Sequence, residues 1–175
     1  REALGLERRV GDHSIDEPDP LGLRRRNAVA REQILLRPGR PDREGPADLP
    51  RVDFFHWVLI DLPPTVSGFD EGQWSRGFTA RGKPGPATAG PARQGLNDYT
   101  GWFAGDADNA GPYFGYDGPF PPFNDSLVHH YVFTLYALNV ARLGVDGAFT
   151  GAQVREALAG HVLGAATLSG TYTLN

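Results

Sequence analysis

The chain has 175 residues, a formal net charge of −4, and neither cysteine nor methionine. This length fits one domain, and the lack of cysteine excludes disulfides, thiol nucleophiles and cysteine-type zinc sites. The acidic balance argues against a nucleic-acid partner or an anionic-membrane surface. No apolar run reaches the roughly 18 residues that a transmembrane segment needs.

The first ten residues are charged throughout rather than basic and then apolar, so we expect no signal peptide and a cytoplasmic location. Because methionine is absent and the chain starts at Arg1, we interpret the sequence as a fragment or a processed product.

Residues 1–53 contain no phenylalanine, tyrosine or tryptophan, although they are rich in arginine, acidic residues and proline. A folded core depends heavily on aromatic area. We therefore predict that residues 1–40 form an atypical, loosely ordered arm. Within it, Ala28 to Leu36 is the stretch with some potential for a short helix or strand.

The pattern changes at Phe54. Phe54 to Leu62 and Tyr131 to Leu138 are apolar runs rich in aromatic and branched residues, and they predict central strands covered on both faces. Residues 65–125 are dense in glycine, proline, asparagine and aspartate, which favours long loops. A capping box begins at Thr150 and predicts one short, late helix, and the alternation that follows predicts a closing strand ending near Leu174. The fold class is therefore mostly β.

Histidine and tyrosine side chains stand at the starts of both apolar runs. His56 precedes one, and His129, His130 and Tyr131 open the other. A histidine between aromatic residues is, taken alone, more often structural than functional. Because residues two apart share a face of a strand, we expect Tyr131 to lie with His129, and His130 to lie on the opposite face.

A proline-rich loop, Gly118 to Pro122, precedes this histidine pair. Proline fixes φ near −65° and removes a backbone donor, so Pro119, Pro121 and Pro122 stiffen the loop. A stiff loop loses little further entropy when a ligand binds. By itself such a loop is more typical of a turn connector than of a ligand-binding wall.

Together these segments resemble the phosphatidylethanolamine-binding protein family, which includes the Raf kinase inhibitor protein and its bacterial relatives. The resemblance covers about the last 120 residues, and we assign the family-like domain to residues 41–175. The segments that carry it are Phe54 to Ile60, Gly95 to Tyr99, Gly115 to Gly118, and the loop Gly118 to Pro122 followed by His129 to Tyr131.

The resemblance implies antiparallel β-sheets with one short late helix, and a non-enzymatic protein without a cofactor or a bound metal. It implies a shallow pocket for a small anion or a phospholipid-like, phosphate-bearing headgroup. The ligand-binding residues would be His56, His129, Tyr131, Pro121 and Pro122. It also implies inhibition of kinases or proteases, and hence a protein partner.

One family motif is missing. Members carry an Asp-Pro-Asp-x-Pro loop upstream of the His-Trp strand, and its aspartate helps to form the pocket. The nearest segment here, Glu17-Pro18-Asp19-Pro20, fits neither in position nor in its flanking residues. We consider two explanations for residues 1–40, a shifted reading frame and genuine divergence.

Two other functions compete with anion binding. Two histidines with Asp98 or Asp117 could bind a metal or activate a hydroxyl nucleophile, although no established metal or hydrolase motif is present. Alternatively, the loss of the aspartate loop could leave a structural or interaction module with a vestigial pocket, such as a homodimer.

Overall fold

The computed structural model describes the backbone of residues 25–33, together with residues 54–121 and 128–173. Five strands form one sheet with the order β3-β2-β1-β4-β5, and every pair of neighbours is antiparallel. The strands are β1 (Arg25–Gln33), β2 (Phe54–Leu62), β3 (Arg93–Gln94), β4 (His129–Leu138) and β5 (Val162–Tyr172). The helices are α1 (Tyr99–Trp102) and α2 (Gly151–Ala157).

The predicted fold class is therefore confirmed: this is a mostly β protein with an antiparallel sheet and a short late helix. The single turn of α1 was not predicted. It is only four residues long and lies in the glycine-rich and proline-rich stretch that was expected to form loops.

Strand β2 forms the centre of the core, and every residue from Phe55 to Leu62 is buried. Its side chains divide between two clusters. The first cluster consists of Phe55, Val58, Ile60, Leu138, Leu143, Phe149, Val154 and Leu158. The second cluster consists of Trp57, Leu59, Leu62 and Ala92. Apolar side chains on both faces explain why the run is continuous rather than alternating, and they confirm the prediction for this strand.

Strand β4 is confirmed as a strand, but its side chains are less fully buried than predicted. His129, Tyr131, Thr134 and Leu138 are buried, whereas the other residues of the strand are partly exposed. It pairs with β1 on one side and with β5 on the other.

Strand β1 corrects the prediction of a loosely ordered arm. It lies between β2 and β4 and pairs with both of them. A strand in that position is held by backbone hydrogen bonds along both edges, so it needs no aromatic side chains to belong to the sheet. The prediction is wrong for residues 25–33, and the rest of residues 1–40 lies outside the described residues.

Helix α2 begins where the capping box predicts. The Thr150 hydroxyl accepts a hydrogen bond from the Gln153 backbone N–H at 3.4 Å, and the Gln153 side chain accepts one from the Thr150 N–H at 2.9 Å. Val154 and Leu158 pack in the first cluster. The closing strand β5 follows and ends at Tyr172; Leu174, where its end was predicted, lies outside the described residues.

Candidate functional site

A β-bulge on β2 sets the position of His56. Arg31 of β1 pairs with Phe55, and the preceding Ala30 pairs with Trp57, so His56 is an extra residue with no counterpart in β1. Phe55 belongs to the first cluster and Trp57 to the second, which shows that the alternation of faces shifts by one residue at His56. Bulges of this kind redirect a side chain and are common beside functional sites.

The His56 ring is enclosed by aromatic side chains and is only 1% exposed. Its ring centroid lies 5.2 Å from that of Tyr131, 5.5 Å from that of Tyr99 and 6.5 Å from that of Tyr116. Tyr131 belongs to β4, which is separated from β2 by β1. The contact between His56 and Tyr131 therefore reaches across an intervening strand.

Two hydrogen bonds to the backbone of Asp117, one from the His56 ring and one to the His56 carbonyl, fix His56 against the loop that precedes the prolines. Its Nδ1 lies 2.5 Å from the carbonyl oxygen of Asp117, and the Asp117 backbone N–H donates to the carbonyl oxygen of His56 at 3.2 Å. Because a carbonyl oxygen can only accept, Nδ1 carries the hydrogen in this contact.

The Asp117 carboxylate is held in turn by two side chains, which we call the Lys83–Asn97 clamp. The Lys83 ammonium forms an ion pair with one carboxylate oxygen, and the Asn97 amide donates to the other at 2.8 Å. Lys83 also donates to the carbonyl oxygen of Tyr116 at 2.9 Å, and Asn97 to that of Gly115 at 3.1 Å. The clamp thus fixes the whole turn that faces His56.

Asp98 connects this loop region to the start of β2. Its carboxylate accepts a hydrogen bond from the Phe55 N–H at 2.7 Å, and its own N–H donates to the Phe55 carbonyl oxygen at 2.9 Å. Both Asp98 and Asp117, the carboxylates considered as metal or catalytic ligands, are therefore engaged in holding loops in place.

His129 and Tyr131 lie on the face of β4 that carries Phe133, which packs against the second cluster. His129 is 1% exposed and Tyr131 is 5% exposed, whereas His130 is half-buried on the other face. The placement of these side chains follows the simple alternation of a strand.

The loop at residues 118–121 lies beside His56. A Cβ built on Gly118 would lie 2.9 Å from His56 Nδ1, and the φ of Gly118 is +156°. Pro121 is buried, and the preceding Phe120 is 68% exposed. Pro122 lies outside the described residues.

Neither of two surface cavities in the described part of the chain is lined by His56, His129, Tyr131 or Pro121. One, of about 410 Å³, borders the site through Phe54 and extends to Trp102 and Thr150. The Phe54 ring lies 4.9 Å from that of His56 and 6.3 Å from that of Trp102. The other, of about 440 Å³, lies near Tyr136 and Arg155. The side chains of His56, His129 and Tyr131 are each at most 5% exposed.

Within the described ranges, no group of three or more histidine, aspartate or glutamate side chains is arranged to hold a metal ion. No helix in those ranges is both long and apolar enough to cross a membrane.

Sequence analysis missed the supporting residues around His56. Lys83 is the only lysine of the chain, which was a visible signal without an assigned role. Asn97 and Tyr116 fall in segments that carry the family resemblance, but their contacts with Asp117 and His56 depend on long-range packing.

Comparisons with known proteins agree with this architecture. The family model of the phosphatidylethanolamine-binding proteins matches residues 38–173. The chain is 35% identical over 125 residues to a UPF0098 protein of Methanothermobacter thermautotrophicus, a match that covers 71% of this chain and 66% of that protein. A UPF0098 protein of Chlamydia trachomatis is 34% identical over 119 residues, covering 68% of this chain and 59% of that protein. The chain therefore spans about two thirds or less of the length of these relatives.

Two solved structures share the fold. A phosphatidylethanolamine-binding protein homolog from C. trachomatis, CT736, superposes with a TM-score of 0.54 at 26% identity, covering 89% of this chain and 76% of that one. YbcL of E. coli, described as a member of the mammalian PEBP family, superposes with a TM-score of 0.53 at 22% identity, covering 90% and 76%. The chain belongs to the phosphatidylethanolamine-binding protein family.

Proposed function

We propose that this protein binds a small anion, or a phosphate-bearing headgroup of the phospholipid type, at His56, His129 and Tyr131, and that it catalyses no reaction. The observation that carries the proposal is the contact between the His56 and Tyr131 rings across β1, with His129 two residues away on the same face of β4. Imidazole and phenol groups can donate hydrogen bonds to phosphate oxygens.

The burial of these groups supports binding. Hydrogen bonds to a charged acceptor are stronger in a site that excludes water. His56, His129 and Tyr131 are all buried, and the loop at residues 118–121 borders His56 directly.

The carboxylates argue for binding rather than catalysis. A hydrolase of the type considered above needs an aspartate that orients a histidine or holds a metal. Asp117 is committed to the Lys83–Asn97 clamp and Asp98 to the backbone of Phe55. Their contacts to His56 and to β2 are suited to fixing a binding site.

Calorimetric titration with phosphate and with phosphoethanolamine tests the proposal. We expect His56→Ala and His129→Ala each to weaken binding by about 1.5–3 kcal/mol, or roughly tenfold to 150-fold, the range for a lost hydrogen bond to a charged group. His130→Ala is the matched control, because His130 lies on the opposite face of β4, and its affinity should equal that of the wild type. A folded wild-type protein that binds neither ligand would favour the vestigial module.

The regulatory functions of the family extend this proposal to a protein partner, a kinase or a protease, that the chain would inhibit. This part rests on family membership alone. It stays a prediction, as do the homodimer and the cytoplasmic location.

A further inference from the structure

Strand β5 forms a long edge of the sheet that no other described strand covers. It stands last in the strand order and, within the described residues, pairs only with β4. Of its eleven residues, all except Gly164 and Gly170 are exposed. The outer side of such a strand carries a row of backbone N–H and C=O groups that can pair with a further strand. β5 is therefore a place where another chain can extend the sheet.

The sequence of β5 has few of the features that keep edge strands apart. Proteins protect such an edge with charged side chains, proline, a bulge or a very short strand. β5 contains no proline, and no Asp, Glu, Lys or Arg follows Glu156, although these four residue types make up 22% of the chain. One bulge occurs at Leu163, and the pairing with β4 is regular from Gly164 to Tyr172. The edge is thus suited to pairing along most of its length.

β5 also exposes apolar side chains that a paired strand would cover. Four of them are between 37% and 54% exposed: Val162, Leu163, Leu168 and Tyr172. Leu168 and Tyr172 share one face of the strand, because they pair with Phe133 and His129 of β4. Burial of apolar surface is the main favourable term in most protein association. These side chains therefore add to what backbone pairing along the edge contributes.

We propose that β5 is a homodimer interface, in which the β5 strands of two copies of this chain pair antiparallel about a two-fold axis near Thr167. The sheet then continues from one chain into the other. A two-fold interface brings the same surface patch of both copies together, and two identical antiparallel strands satisfy that requirement. The proposal does not rest on anion binding, so either of the two can fail without the other.

The charges identify a second copy as the occupant of this edge. Two copies of a chain with a net charge of −4 repel each other in general. A charged strand paired with itself would also set like charges close together, which is destabilising. β5 avoids this because it has no charged side chain. Charges at an interface also select one partner over another, and β5 offers none for the selection of a different protein.

The opposite edge of the sheet limits the assembly to two copies. Among the described strands, β3 forms that edge; it is only two residues long, and Arg93 within it also forms a bridge with Ala87. It is too short to pair with a strand of the length of β5. Two-fold pairing uses the β5 edge of both copies, so the described sheet keeps no long edge for a third chain.

Sedimentation velocity over a range of protein concentrations is the first measurement. We expect a species with twice the mass of one chain, whose fraction grows with concentration. A monomer at every concentration would overturn the proposal, and so would an open series of larger assemblies. Either result leaves anion binding standing, because titration with phosphoethanolamine tests it separately.

A charge-swap experiment tests the pairing of β5 with itself. Thr167 is exposed near the middle of the strand, so Thr167→Lys and Thr167→Glu should each keep the fold, which circular dichroism checks. Each should sediment as a monomer, because like charges meet near the axis. An equimolar mixture should regain dimers, since Lys then faces Glu. Thr79→Lys, at an exposed loop position, is the control and should dimerise like the wild type. Dimers in either single variant, or a mixture that stays monomeric, would overturn the proposal.

Nitroxide labels on single introduced cysteines measure the geometry directly, because the chain has no cysteine of its own. In an antiparallel pair, the distance between the two labels should be short for Thr167→Cys. It should be longer by about 20 Å for Thr171→Cys, since each residue adds about 3.4 Å along each strand. Equal distances at the two positions would indicate parallel strands, and no measurable coupling at Thr167 would place the interface elsewhere. Either result would overturn the proposal.

Discussion

Gly118 is the residue that leaves space for His56. A Cβ at this position would lie 2.9 Å from His56 Nδ1 and 3.3 Å from the Tyr116 hydroxyl, and the φ of +156° is one that residues with a side chain rarely adopt. We expect Gly118→Ala to destabilise the protein by about 1–3 kcal/mol, the cost of a strained backbone conformation, and to displace the His56 ring. The free energy of unfolding in urea measures the first effect.

Gly144→Ala is the control for this substitution, because an added Cβ there meets no atom within 4 Å and the backbone needs no positive φ. It should leave the free energy of unfolding nearly unchanged. Equal stability of the two variants would contradict the close packing of the loop on His56.

Lys83 is the second residue whose role can be measured directly. Its side chain is 16% exposed and its ion pair with Asp117 is mostly removed from solvent. Removal of one partner from a buried pair leaves an uncompensated charge, so Lys83→Met should cost about 3 kcal/mol. Denaturant titration checks this value. Arg142→Met, which breaks an exposed ion pair with Asp146, is the comparison and should cost at most about 0.5 kcal/mol.

At the scale of single elements, α2 depends on its first residue. Thr150 and Gln153 satisfy each other's backbone N–H groups, and the helix is only seven residues long. We expect Thr150→Ala to lower the free energy of unfolding by about 1 kcal/mol. Thr79→Ala, at an exposed loop position, is the matched control, and a loss as large as that of Thr150→Ala would indicate a general effect of removing a threonine hydroxyl.

The elements also show what sequence patterns can and cannot predict. Strands β2 and β4 and helix α2 are visible because their apolar runs and capping residues are local signals. Strand β1 was anticipated only in part, as a possible short helix or strand from Ala28 to Leu36, because its place in the sheet comes from pairing along both edges, which leaves no aromatic signature. The bulge at His56 is invisible for the same reason: it exists only in the register between β1 and β2.

The candidate site, like the secondary structure, could be predicted from the sequence only in part. Strand alternation alone places Tyr131 with His129 and separates His130 from them. The contact of Tyr131 with His56 joins residues far apart in sequence, and the family resemblance, rather than periodicity, led to its expectation. The Lys83–Asn97 clamp has no local pattern, because each of its contacts joins separate loops.

At the scale of the whole molecule, one buried tyrosine predicts an alkaline limit to stability. Burial raises the pKa of Tyr113, whose hydroxyl donates to the Asn109 carbonyl oxygen at 2.8 Å. The folded state therefore favours the protonated phenol. This contribution is fully present below about pH 10, where an unfolded tyrosine titrates, and is lost as the pH rises through the higher value of the folded state.

Urea unfolding between about pH 8 and about pH 11 tests this prediction. The free energy of unfolding of the wild type should fall more steeply at the alkaline end than that of Tyr113→Phe, which has no hydroxyl to ionise. Parallel profiles for the two proteins would show that Tyr113 does not contribute to the alkaline loss of stability.

The most direct test of the central claim is to locate a bound anion by backbone amide NMR shifts during titration with phosphoethanolamine. The proposed site predicts that the largest shifts occur at His56, Asp117, Gly118, His129 and Tyr131. Largest shifts at Trp102 and Thr150, which line the neighbouring cavity, with none at the two histidines, would contradict the account.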